Sequence, residues 1–272
     1  MEPTVFATWE ALFKECRLVH QFLNEGIRPR VQRAANASTD DFYGMLLRTI
    51  SWLRSLWKLD EPADFQAVVV ASRTLFEIAV DATLMHFDEA SYPAAKVLAW
   101  EESAKLKASL KVKEFFAGKN RPPPPECVPQ MQFIAANTKR IEALRVKYWP
   151  GRNGNGYHPA RWTGHDLEHD ASTATKLFGE GEFDEFYATQ NAQLCWNTHG
   201  SGLAGVRGIS PKDFPAISAL GFRACARFAL ITAELILRHF GLWDDRVERE
   251  FAEHGAERVL TKYAMLTKNR TG

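Results

Sequence analysis

Apolar residues recur at steps of three and four along most of the chain, and that spacing predicts helices. Phe6, Trp9, Leu12, Phe13, Cys16, Val19 and Leu23 make one stripe over Val5–Leu23. Pro29 is expected to end any helix begun there, because it lacks an amide N–H and turns the preceding residue away from helical angles. Asp40 or Asp41 caps a second helix through Met45, Leu46, Ile50, Leu53 and Leu56. Pro62 and Asp64 open a third, Phe65–Phe87, apolar on most faces and therefore central to a bundle.

Pro93 precedes a lysine-rich helix over Ala94–Phe116. The run Arg121-Pro122-Pro123-Pro124-Pro125 is a stiff connector to an amphipathic helix over Gln130–Tyr148. Pro150–Pro159 reads as a loop. Gly164–Phe178 and Glu182–His199 form two further helices, and Gly200–Pro211 is a loop of small residues. Pro215–Phe240 is a long buried helix ended by Gly241, and Asp244 or Asp245 caps a last helix reaching Leu266. The alternation at Ala67–Val70 is short and flanked by helix, and no repeat is visible. The expected fold is all-α, a single-domain bundle of about eight helices spanning 1–272. Its core covers roughly 40–266, with the connector 117–129 and the loop 150–160 as surface insertions.

Composition narrows the partners more than the chemistry. Hydrophobic residues make up 46% and charged residues 25% of the 272, as in ordinary globular chains. A formal net charge of +1 does not indicate a strongly basic nucleic-acid binder. Cys16, Cys127, Cys195 and Cys225 form no CxxC, so reduced thiols in a cytoplasmic protein are expected. No secretory signal is read at the N-terminus. The longest apolar segment, Ala216–Phe240, is broken by Arg223, Arg227, Glu234 and Arg238, so no membrane partner is expected. No cofactor is expected either. Gly200–Gly205 follows a helix where a phosphate loop follows a strand, and Gly-x-Ser-x-Gly is absent.

Candidate chemistry concentrates in Arg161–Ser201 and on the central helix. Arg73, Glu77 and Asp81 share one helical face, where an ion pair could fix helix register or Arg73 could bind an anion. His199 closes its helix as a candidate general acid or base, or as a cap on the last carbonyls. Cys195 lies one turn before it, where a small core residue is the plainer reading than a thiolate partner. His165 and His169, four apart among carboxylates, are weak candidates for a metal.

Three separated pieces together resemble a bacterial domain-of-unknown-function family. They are Arg73-Thr74-Leu75-Phe76-Glu77, Trp162-Thr163-Gly164, and Tyr187 followed by Cys195-x-x-x-His199-Gly200-Ser201. The resemblance covers roughly 40–240, with Cys195 standing where that family usually has serine. It implies an all-helical protein in which an arginine, a glutamate, a tyrosine and a histidine converge. A looser likeness is to the HEPN group of helical nucleases and nucleotide binders, marked by an arginine, a polar residue and a histidine in one helical segment. Here Gln190, Asn191, Gln193, Cys195 and Asn197 precede His199, so Arg73 would have to supply the guanidinium from another helix.

The functional expectation is an RNA- or nucleotide-acting effector in bacterial stress or phage defence, with a homodimer left open. His199, Arg73, Glu77 and Tyr187 are its candidate catalytic residues, and Trp162, Cys195, Asn191 and Ser201 its candidate ligand contacts. A non-catalytic interaction or ligand-binding module, whose Arg–Glu–Tyr–His network is structural, is the alternative. A metal-dependent hydrolase built on His165 and His169 is the second alternative.

Overall fold

The computed structural model describes residues 3–35, 41–150, 158–179, 183–192, 194 and 212–253. All regular structure among them is helical, as the periodicity predicts. In chain order the elements are α1 (Pro3–Gln21), α2 (Arg28–Ala34), α3 (Asp41–Leu56), α4 (Phe65–Phe87) and α5 (Ala94–Gly118). They continue with α6 (Val128–Tyr148), α7 (Leu167–Phe178), α8 (Phe183–Phe186), α9 (Phe214–His239) and α10 (Asp245–Phe251). None of the described helices is long and apolar enough to cross a membrane.

Pro29 does not end the first helix, contrary to expectation. A π-helical turn, Phe22–Ile27, links α1 to α2, and the Arg28 amide reaches back five residues to the Leu23 carbonyl. The wide turn lets Pro29 enter as the second residue of α2, in a first turn where a missing N–H costs little. The helix expected from Gly164 starts instead at Leu167. Gly164 has φ +89°, outside helical angles, and Asp166 supplies the cap by accepting the His169 amide at 2.8 Å. Asp244 caps α10, accepting the Arg246 and Val247 amides at 3.0 and 2.8 Å. The expected extension of that helix to Leu266 lies outside the described residues.

The chain forms two compact units. One comprises residues 1–87 and 171–272. At its centre α4 and α9 pack along each other, with α1 against α9 and α3 against both. The approach is close at Gly221, where an added Cβ would lie 2.8 Å from Val68 Cγ1. The Cys16 thiol donates to the Phe222 carbonyl at 3.0 Å, and burial pushes the Cys16 and Cys225 thiols well above their ordinary range. Both behave as small core residues. Phe76 of α4 and Phe228 of α9 each meet Phe183 and Phe186 of α8, with centroids 4.7–6.3 Å apart. These four rings close the core at the end of α8.

The other unit comprises residues 88–170. Here α5 and α6 form a hairpin across the Pro-rich connector, and Arg140 forks onto both oxygens of Glu102 at 2.7 Å. The segment from 158 is stitched to these helices. Trp100 Nε1 donates to the Pro159 carbonyl at 2.9 Å, and Ser103 Oγ bonds His158 Nδ1 at 2.9 Å. Trp149 Nε1 donates to the Trp162 carbonyl at 3.0 Å.

Candidate functional site

α4 is buried on most of its circumference, and Arg73, Thr74, Glu77 and Asp81 lie along its one polar stripe. Arg73 Nε donates to Glu77 Oε1 at 3.0 Å, one helical turn apart. Their side chains are 34% and 33% exposed, so water reaches both. Phe76, between them in sequence, is seated on Phe186. The next residue, Tyr187, is half-buried and opens a π-helical turn, Tyr187–Asn191. That turn ends on a buried Asn191 whose Oδ1 has no hydrogen-bond partner among the described residues. A buried amide oxygen in that state is costly to the fold.

Arg227 joins this group from α9. Its guanidinium lies 5.6 Å from the centre of the Phe228 ring, which itself meets Phe76, Phe183 and Phe186. Burial lowers its pKa from the ordinary arginine value, and an arginine stays cationic at neutral pH. Arg73 and Glu77 thus flank Phe76 along α4, Tyr187 follows Phe186, and Arg227 lies over Phe228, three rings of one cluster. In the sequence Arg227 is an interruption of an apolar run. The signal was the interruption itself, since a charge inside such a run must be desolvated and compensated. A guanidinium oriented by a carboxylate on its own helix, as Arg73 is by Glu77, suits the binding of an anion. His199, Cys195 and Ser201 lie outside the described residues.

Trp162, His165 and His169 belong to the 88–170 unit, where the polar centre has another character. Asp170 is fully buried and takes Arg161 Nε at 2.6 Å and Thr163 Oγ1 at 2.8 Å on one oxygen. Its other oxygen is buried with no hydrogen-bond partner among the described residues. Trp162 is buried against Tyr92, with ring centroids 5.8 Å apart. Burial, and then the Asp170 charge, pushes the Tyr92 hydroxyl above its ordinary pKa. Gly164 completes the turn, because a Cβ there would meet Trp149 Cδ1 at 2.8 Å. His165 and His169 are exposed and stacked, with centroids 4.1 Å apart. No group of three or more His, Cys, Asp or Glu placed to hold a metal occurs among the described residues.

Two other polar places stand apart from the four-ring cluster. Glu234 of α9 is 1% exposed and accepts Arg238 Nε at 2.8 Å, and burial raises its pKa to about 7 against the pull of Arg238. Arg30, Arg33 and Arg246 line an open groove of about 570 Å³ between α2 and α10. Glu250 already engages Arg30 at 2.7 Å and Arg246 at 3.0 Å there. Comparison with family models, with curated proteins and with solved structures gives no match.

Proposed function

We propose that the chain acts on RNA or a nucleotide, as a HEPN-like helical effector of bacterial stress or phage defence. Arg73 is assigned to bind phosphate, Glu77 and Tyr187 to position the binding groups, and His199 to move the proton. In metal-free RNA cleavage a base takes the 2′-hydroxyl proton as that oxygen attacks phosphorus. An acid then protonates the departing 5′-oxygen, and an imidazole can serve in either role.

The observation that carries this reading is the exposure of the Arg73–Glu77 pair. An exposed pair of this spacing contributes roughly 0.3–0.5 kcal/mol to stability. A row of charges on a helix buried over most of its circumference therefore has room for a role besides stability. A guanidinium held in register by its own helix yet open to water is suited to an incoming phosphate. Arg227 adds a second, partly desolvated cation next to the same rings.

The test is cleavage of total RNA and tRNA by the purified chain, with and without divalent metal, beside Arg73→Ala and His199→Ala. Cleavage lost in both variants, with unchanged melting midpoints, is the expected result. Full cleavage by Arg73→Ala overturns the assignment of that residue. A second reading, a non-catalytic module with a structural polar network, is favoured by the burial of Asn191 at the end of the turn that Tyr187 opens. It predicts no cleavage, and variants that each lose about 1–3 kcal/mol of stability.

A further inference from the structure

The hairpin α5–α6 concentrates positive charge that the whole-chain balance conceals. Residues 94–150 hold eleven lysines and arginines against five glutamates and no aspartate, while the entire chain is only +1. The excess is sharpest where α5 ends. Lys111, Lys113, Lys119 and Arg121 face a single acidic neighbour, Glu114, over eleven residues.

This end of α5 is a built structure. Asn120 sits at φ +50°, in the left-handed region. The Asn120 amide bonds the Ala117 carbonyl at 3.0 Å, and the Arg121 amide reaches back to the Phe116 carbonyl at 3.3 Å. Those two bonds define a Schellman cap, which fixes the direction of the chain leaving the helix. Its result is to fold Arg121 back over Phe116, with the guanidinium 5.1 Å from the ring centre. Phe115 meets Phe116 edge-on at 5.2 Å and is itself 54% exposed. Among the residues whose side chains are described it is the one exposed Phe, Tyr or Trp ring.

We propose that the end of α5, from Lys111 to Arg121, is a platform for unpaired RNA. Phe115 would stack on a base, and Lys111, Lys113, Lys119 and Arg121 would track the phosphates. Single strands are bound in this way by an aromatic face set in a cationic surface, because every base has a π-face and every nucleotide a charge. A lipid-seeking tip would present several apolar side chains at one depth. Here one exposed ring lies in an eleven-residue stretch carrying four cations and a single carboxylate. The choice of polymer rests on the RNA reading above; the platform itself rests only on the geometry of the α5 end.

The experiment is fluorescence anisotropy of a short labelled oligouridylate against the intact chain, across a salt series. Phe115→Ala is expected to weaken binding about tenfold, in line with the loss of one stacked base, and Phe115→Tyr to restore it. Lys111→Ala with Lys113→Ala is expected to reduce the slope of log K against log salt by about 1.4, as two lost phosphate contacts on a single strand predict. Phe115 is exposed, so the variants fold. No binding by the wild-type chain, or binding unchanged in Phe115→Ala, overturns the platform. Binding to phosphatidylserine vesicles but not to oligouridylate overturns it in favour of a membrane surface. Oligouridylate binding that depends on Phe115, without RNA cleavage, upholds the platform and overturns the catalytic reading alone.

Discussion

The Arg73–Glu77 pair and the Arg161–Asp170 pair use the same two kinds of group at similar distances, 3.0 and 2.6 Å. They differ in access to water. Arg73 and Glu77 are each about one-third exposed, whereas Asp170 is 0% and Arg161 13% exposed. The buried pair has been stripped of solvent and depends on its neighbours: Thr163 on the carboxylate, Trp162 and Tyr92 around it, Gly164 in the turn. The exposed pair keeps contact with water. Polar residues in an apolar frame are thus of two kinds, and burial separates those that hold a structure from those that can serve a ligand.

Asp170→Ala should be the most damaging single change, because it leaves the Arg161 guanidinium without its buried counter-ion. A loss of about 3–5 kcal/mol in urea unfolding is expected. A loss below 1 kcal/mol would erase the contrast with Arg73. Glu234 sharpens the contrast through pH. Its folded-state pKa is raised to about 7 from 4.5, so the folded chain holds this proton more tightly than the unfolded chain. Stability from this group is fully present below pH 4.5 and is lost as pH rises through about 7, by on the order of 3 kcal/mol. Unfolding midpoints of wild type and Glu234→Gln, compared at pH 5 and pH 8, should show the variant without that decline. An equal decline in both would mean that Glu234 titrates normally.

Gly164→Ala should cost about 1–3 kcal/mol. Trp149 cannot retreat from the new methyl, since its indole N–H is bonded to the Trp162 carbonyl, and φ +89° disfavours a side chain in any case. Arg73→Ala lies at the far end of the scale, with a stability change within about 0.5 kcal/mol. A melting midpoint lowered as far as that of Gly164→Ala would place Arg73 with the structural pair.

Much of the fold was legible because punctuation and periodicity agreed. α4 spans Phe65–Phe87, as Pro62, Asp64 and an almost unbroken apolar run predict. Pro29 misled because local rules treat proline as a stop, and a π turn can re-phase a helix so that proline falls in a new first turn. At the candidate site the Arg73–Glu77 contact followed from i, i+4 spacing alone. The role of Arg227 did not, since its place beside Phe228 matters only once α4, α8 and α9 are packed. Asp170 was likewise read only as one of several carboxylates around two histidines. It lies nine positions after Arg161, across a turn and the start of a helix, and no periodicity links them.

The close seat of α4 on α9 also carries a consequence for synthesis. Cys225 Sγ lies 4.0 Å from the Val68 carbonyl, yet the two residues are 157 positions apart in the chain. The residues 88–170 between them form a compact unit from one continuous segment. A chain emerging from the ribosome completes that segment first, while the Val68 face of α4 waits, apolar and uncovered, for a partner not yet translated. The packing of α4 on α9 therefore cannot form until well after the 88–170 segment is made, and the nascent chain is most open to aggregation and chaperone capture during that interval.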